Sequence, residues 1–355
     1  MKDTRIVPVK ASGCYDITIG SGILADAGEI LRGIKKACNA VIVTDTNVDG
    51  LYCDVVMKSL EKSGFTCDKF VFEAGESSKN SKTFVDILEF LAAKKITRSD
   101  LVIALGGGVV GDVTGFASSC YLRGIDFVQI PTTLLSAVDS SVGGKTAIDL
   151  EAGKNLAGAF YQPVAVICDT DTFTTLPEKE IACGYAEVIK YGVLFSKDFF
   201  NCLDENHADI NEIVEKCVMF KRDIVEKDEF DKGERMLLNL GHTAAHGIEK
   251  VSGYSVTHGE AVAAGTVIAA KIAENAGVCR KGLYAEIEKL LLKYNLPTKY
   301  DITAKELCAA ALSDKKRQSA KLTLVLPERI GKCILYDINV DELETIFSNA
   351  LNLKD

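Results

Sequence analysis

Leu101-Val102-Ile103-Ala104-Leu105-Gly106-Gly107-Gly108-Val109-Val110-Gly111-Asp112 decides how the first half of this chain folds. Five apolar residues stopped abruptly by glycine read as a buried strand. Gly106, Gly108 and Gly111 then follow the G-x-G-x-x-G spacing, and the residues after them are helical in pattern. Glycines at such a strand-to-helix turn let the backbone approach a pyrophosphate at the helix N-terminus. The acid that usually follows about 20 residues later at a strand end is missing. Asp126 is near that distance, but it begins a strand. The stretch therefore predicts a dinucleotide site in a variant layout.

The pattern repeats on either side. Ala40 to Thr44, Lys69 to Phe72, Asp126 to Ile130 and Ala165 to Cys168 are short apolar or β-branched runs that end at turn or polar residues. Helical patterns such as Thr83 to Ala93 lie between them, which predicts a parallel sheet of βαβ type. From about Pro177 the periodicity is helical: 182–195, 210–227, 234–250, 259–276 and 281–294. Leu322 to Leu326 and Cys333 to Tyr336 are the strand-like exceptions. The expected organisation is a Rossmann-like α/β domain over 1–176, followed by a mainly α-helical domain over 177–355.

Composition narrows the function. A net charge of −9 argues against a nucleic-acid-binding face. No uncharged run is long enough to span a bilayer. The first ten residues lack the apolar core of a signal peptide. Twelve cysteines are scattered without a C-x-x-C pair, which points to reduced thiols and a cytoplasmic protein.

Three of the four histidines fall within seventeen residues, at His242, His246 and His258. His242 and His246 share one face if the segment is helical. Such a cluster suits a divalent metal held by imidazole nitrogens, with a carboxylate from elsewhere as a further ligand. Glu187 is the candidate, because it lies in an otherwise apolar helical segment and a buried charge needs a partner. An ion pair with Lys190, three residues on, would also explain it. Gly143-Gly144-Lys145-Thr146 ends like a phosphate-binding P-loop, but that motif needs glycine where Asp139 stands. Lys145, Lys154 and Asn155 still sit in glycine-containing loops, 142–147 and 152–158, that suit an anionic ligand.

Taken together, these blocks resemble the 3-dehydroquinate synthase family of sugar-phosphate cyclases. The resemblance runs from roughly Val41 to Lys332. It rests on 106–112, Tyr121-Leu122-Arg123-Gly124, Ile130 to Leu135, Val138 to Thr146, Gly153-Lys154-Asn155, Ala186 to Lys190, Leu238 to Thr243, and His258 to Val262. The family closes 3-deoxy-D-arabino-heptulosonate 7-phosphate to 3-dehydroquinate and phosphate. The steps are transient oxidation by NAD, phosphate elimination, reduction, ring opening and aldol closure.

The resemblance implies a divalent metal, zinc or cobalt, on Glu187, His242 and His258. His246 would lie beside them or take part in the chemistry. It implies NAD contacts from Asp45, Glu76, Lys79, Gly107, Gly108, Val109, Gly111, Asp112, Thr132, Thr133, Lys145, Lys154, Phe173, Thr175 and Leu176. The anionic sugar phosphate would meet Arg123, Asp139, Lys154, Asn155, Lys190, Lys221, Arg235, Asn239 and the pair Lys315-Lys316, with Lys316 favoured. A homodimer is also implied. Two departures stand out: Ala245 replaces the usual glycine before the second histidine, and a glycine expected after Lys316 is absent. The rival enzymes are another sugar-phosphate cyclase, such as a 2-deoxy-scyllo-inosose synthase, and a metal-dependent polyol dehydrogenase.

Overall fold

The computed structural model describes residues 4–205, 207–313 and 320–352. The chain divides into two compact units. One comprises Met1–Pro177 with Ile210–Phe230, the other Glu178–Asp209 with Asp231–Asp355.

The first unit is built on a seven-stranded sheet in the order β1-β2-β9-β6-β5-β3-β4. Its strands are β1 (Arg5–Lys10), β2 (Cys14–Gly20), β3 (Asn39–Asp45), β4 (Thr66–Phe72), β5 (Leu101–Gly106), β6 (Phe127–Pro131) and β9 (Ala165–Asp169). From β2 to β4 every pairing is parallel, and only β1 runs antiparallel, against β2. β5, β6 and β9 are buried at every residue. Strands covered on both faces cannot show polar alternation, so they appear in sequence as continuous apolar runs. Ile42, Ile103 and Val128 belong to the core on one face, whereas Val41, Val102 and Phe127 belong to the core on the other.

Two parts of this unit depart from the sequence expectation. The first hairpin, β1 with β2, was not anticipated. The segments expected to be loops, 142–147 and 152–158, form a second antiparallel hairpin, β7 (Lys145–Leu150) with β8 (Gly153–Phe160). Most of β8 is half-buried or exposed. An exposed strand rich in glycine and polar residues gives little periodic signal.

The second unit is mainly helical, as expected. Its helices are Glu178–Phe195, Lys197–Glu205, His242–Val251, His258–Asn275, Leu283–Lys293, Ala304–Ser313 and Leu343–Leu351. The antiparallel pair β10 (Lys321–Arg329) and β11 (Lys332–Asn339) accounts for the strand-like runs. The sequence expectation puts the helix Ile210–Lys227 in this domain, but it belongs to the first unit. There Arg5 bonds Glu215 at 2.6 Å, and the Lys10 amide donates to Glu226 at 2.7 Å. No local pattern marks an excursion of this kind, because a helix shows which face is apolar but not which core that face meets.

Candidate active site

In the first unit the candidate cofactor residues gather at the carboxyl ends of the parallel strands. The chain runs from β3 outward to β4, then returns to β5 on the other side of β3. The strand order thus reverses between β3 and β5, and ligands of open α/β sheets bind in that crevice. Asp45 ends β3 and Gly106 ends β5. The carboxylate missing downstream of the glycine loop is therefore present on the neighbouring strand, from earlier in the chain. Asp45 also caps a helical turn, accepting from the amides of Asn47 and Val48 at 2.9 and 3.0 Å.

The glycine loop fits a pyrophosphate. Gly107 precedes the thirteen-residue helix Gly108–Cys120 and gives it no side-chain cap. Its first amides are therefore available to an anion. The other glycines serve packing. A Cβ on Gly106 would meet Val110 Cγ2 at 2.5 Å, and one on Gly111 would meet Gln129 Oε1 at 2.6 Å. Val109 is half-buried in the first turn. Thr132 donates its amide to the Gly106 carbonyl at 3.0 Å, and Thr133 bonds Ser136 beside it. After β9, Phe173 is buried, Thr175 Oγ1 lies 2.5 Å from the Tyr52 hydroxyl, and Leu176 ends the 3-10 helix Thr170–Thr175.

Several of the remaining residues of this unit are joined by charge contacts. Lys79 Nζ lies 2.7 Å from Asp112 and donates to Asn155 Oδ1 at 2.5 Å. Burial works against the Lys79 ammonium, but the carboxylates of Asp112, Glu76 and Asp149 together outweigh it, and its pKa stands above the ordinary lysine value. Asn155 is held by its amide on Asp149 Oδ1 at 2.8 Å. Lys154 lies 3.3 Å from Glu76, and Lys145 is exposed at the start of β7. Lys221, on the helix that joins this unit, donates to both the carbonyl and Oδ1 of Asp139 at 2.7 Å. Arg123 is exposed, with a left-handed φ of 67°.

In the second unit, three close backbone contacts build the histidine cluster. The expected helix 234–250 is broken: a 3-10 turn, Glu234–Asn239, stops at Leu240, and Gly241 has a φ of 78°. A Cβ on Gly241 would lie 2.6 Å from the Thr266 amide, and one on Gly265 would lie 2.2 Å from the Gly241 carbonyl. The turn thus lies directly against the helix His258–Asn275, and His242 opens the next helix. Thr257 and Glu260 form a capping box that starts the helix at His258. A Cβ on Gly259 would lie 2.4 Å from Cys183 Cα. That contact brings in the helix Glu178–Phe195, on which Glu187 stands one turn beyond Cys183.

One ligand atom from each of Glu187, His242 and His258 lies within 4.8 Å of the others. His258 Nε2 is 3.6 Å from Glu187 Oε1. Two ligands about 2.1 Å from a tetrahedral zinc stand about 3.4 Å apart, so this pair matches the spacing a metal would need. His242 Nδ1 faces the Leu240 carbonyl at 3.2 Å, which leaves Nε2 for the metal. Burial, with the Lys190 ammonium next, drives the His242 ring down to about 3, so it stays the neutral imidazole that coordination needs. Burial also opposes charge on His258, but Glu187 and Glu249 lift it to about 9. A cation bound there would displace that proton. The donor set fits a divalent metal.

Glu187 lies at metal-ligand spacing and also pairs with Lys190 in a fully buried contact. Arg235 is 1% exposed, whereas Asn239 and His246 are exposed. His246 lies one turn after His242, with ring centroids 5.5 Å apart, and it is not among the three clustered ligands. Lys315 and Lys316 lie outside the described residues. Sequence reading missed Glu249, a buried carboxylate 3.5 Å from His258 Nδ1. Its signal was an acid three residues past His246 on an apolar helical face.

The chain matches the 3-dehydroquinate synthase N-terminal family profile over residues 69–183 and the C-terminal one over 184–317. It is 44% identical to the 3-dehydroquinate synthase of Clostridium kluyveri over 337 residues, 93% of this chain and 94% of that one. Among solved structures it resembles a 2-deoxy-scyllo-inosose synthase complexed with carbaglucose-6-phosphate, NAD+ and Co2+. The TM-score is 0.87 at 24% identity, covering 97% of this chain and 99% of the other. It also resembles the 2-epi-5-epi-valiolone synthase of Streptomyces hygroscopicus with NAD+ and Zn2+. There the TM-score is 0.85 at 23% identity, covering 98% and 99%. At these identities the two structures bear on the fold.

Proposed function

As the chain belongs to the 3-dehydroquinate synthase family, we propose that it converts 3-deoxy-D-arabino-heptulosonate 7-phosphate to 3-dehydroquinate and phosphate. The observation that carries this reading is the convergence of Glu187, His242 and His258, from three separate helices, at metal-ligand spacing. When bound, NAD supplies a reversible hydride acceptor and the metal an acidifying contact for substrate hydroxyls.

The chain's own residues bind and orient. The uncapped amides after Gly107 take the cofactor pyrophosphate, and Asp45 accepts from a ribose hydroxyl. Arg235 forks onto the substrate carboxylate, and Lys154 with Asn155 meets an anionic group. Lys190 holds Glu187 in place while presenting its remaining N–H groups. His246, exposed one turn from His242, exchanges a proton with substrate on this reading. Much of the rate enhancement on this reading comes from orientation.

The chain acts in the cytoplasm as a homodimer on this reading. Twelve cysteines without a disulfide suit a reducing compartment. Among the described residues no helix is long and apolar enough to cross a membrane.

The test is to supply the heptulosonate phosphate with substoichiometric NAD and follow phosphate and NADH together. Many turnovers per NAD, with phosphate released one for one and no lasting NADH, support the synthase. NADH accumulating in step with product would show a dehydrogenase. Turnover restricted to a sugar phosphate without a carboxylate would show a different cyclase.

A further inference from the structure

Glu249 takes no part in the reaction described above. It stands on the helix His242–Val251, is 4% exposed, and brings Oε1 to 3.5 Å from His258 Nδ1. The opposite nitrogen of the same ring, Nε2, faces Glu187 Oε1 at 3.6 Å. His258 is therefore gripped between two buried carboxylates, one on each ring nitrogen. These carboxylates have different surroundings. Glu187 is the one that also lies with His242, inside the cluster of ligand atoms. Glu249 sits on the far side of the ring.

We infer that Glu249 is a positioning residue for the metal site: it accepts a hydrogen bond from Nδ1–H of His258, so that the ring keeps its proton there and presents Nε2 to the ligand set.

The physical argument has two parts. A neutral imidazole carries one proton, and the nitrogen that keeps it is fixed by its hydrogen-bond acceptor. A carboxylate on Nδ1 fixes the ligating tautomer, locks the ring's rotation and makes Nε2 the better donor. His242 achieves the same result with a backbone carbonyl, that of Leu240. At His258 the group facing Nδ1 is the Glu249 side chain instead, although both histidines open their helices. That acceptor comes from another helix, the one that His242 opens. The cost of burying that carboxylate is offset when the ring donates to it.

This inference rests on the metal reading of Glu187, His242 and His258, and the test separates the two. Zinc and cobalt dissociation constants would be measured by competition with a chromophoric chelator. The proteins are the wild type, His258→Ala, Glu249→Ala and Glu249→Gln, with urea unfolding of each metal-free form alongside. We expect one ion per chain in the wild type and none in His258→Ala. Glu249→Ala should bind 10–100-fold more weakly, as such outer partners typically contribute. Glu249→Gln keeps an acceptor oxygen and the side-chain shape, so it should bind more weakly than wild type but more tightly than Glu249→Ala. The cobalt visible spectrum should shift in Glu249→Ala, reporting a reoriented ligand, which a purely structural residue would not produce. Wild-type affinity in both Glu249 variants, with His258→Ala metal-free, overturns the inference and leaves the metal reading intact. A wild type that takes up no ion overturns both. If Glu249→Ala fails to fold, Glu249→Gln decides alone.

Discussion

Lys79 with Asp112 in the first unit, and Lys190 with Glu187 in the second, are both buried lysine–carboxylate pairs. They are put to different uses. Lys79 is surrounded by acceptors: Asp112 at 2.7 Å, Asn155 at 2.5 Å, and the charges of Glu76 and Asp149 nearby. Its surroundings close around a cation that is already there. Glu187 is surrounded by hydrogen-bond donors, with His258 3.6 Å from one oxygen and the Lys190 ammonium on the other. Its surroundings are ready for a second cation. The contrast teaches that burial and pairing alone do not mark a catalytic carboxylate. The chemistry of the remaining neighbours does.

The largest effect should come from breaking the open pair. Glu187→Gln keeps the shape and removes the charge, so the metal should be lost and turnover should fall at least about 10³-fold, roughly 4 kcal/mol at 1.36 kcal/mol per decade. His258→Ala should do the same while leaving the fold largely intact. Metal analysis of either purified variant checks this, and full occupancy would remove that residue from the ligand set.

Breaking the closed pair should instead appear in stability. Lys79→Met strands the Asp112 carboxylate, whose side chain is 16% exposed, at a cost of about 3 kcal/mol in urea unfolding, the low end for a buried pair. Its metal content should be unchanged. A loss below about 1 kcal/mol would mean that Asp112 is paired well enough without Lys79.

Arg235 tests the substrate side. Arg235→Lys loses a planar fork that lysine cannot reproduce. kcat/KM should fall by about 10²-fold, or about 2.7 kcal/mol, with NAD affinity near normal. Wild-type kcat and KM for the heptulosonate phosphate would place the carboxylate elsewhere.

The smallest stability effect belongs to the exposed pair Lys154–Glu76, at 3.3 Å with side chains 30% and 46% exposed. Lys154→Ala should change unfolding free energy by less than about 1 kcal/mol. A large loss of turnover in that variant would therefore report ligand binding and not folding. Unchanged turnover would take Lys154 out of the site.

Much of the fold was legible because its signals are local. β5, β6 and β9 showed as apolar runs ending at glycine, proline or aspartate, and the parallel sheet followed from helices placed between them. The break at Gly241 was not legible. Glu234 to Lys250 keeps a helical pattern through it, and only the approach of Gly265 and Thr266 explains why the backbone turns there. The hairpin β7–β8 was hidden for the opposite reason, since its exposed residues carry little periodicity.

At the candidate site the sequence by itself determined the residue types: a glycine turn after a buried strand, a chain poor in histidine with three histidines close together, and a glutamate inside an apolar helix. These are choices of chemistry, and chemistry is written in side chains. The tertiary structure alone decided which of them meet. Asp45 reaches the glycine loop's strand because β3 and β5 are neighbours at the reversal of the sheet. Glu187 reaches His258 because Gly259 lets two helix backbones touch. Glu249 faces His258 because the helix that carries it, His242–Val251, packs against the helix that His258 opens. Contacts between residues far apart in sequence depend on packing, and no local pattern encodes which surface will arrive on the other side.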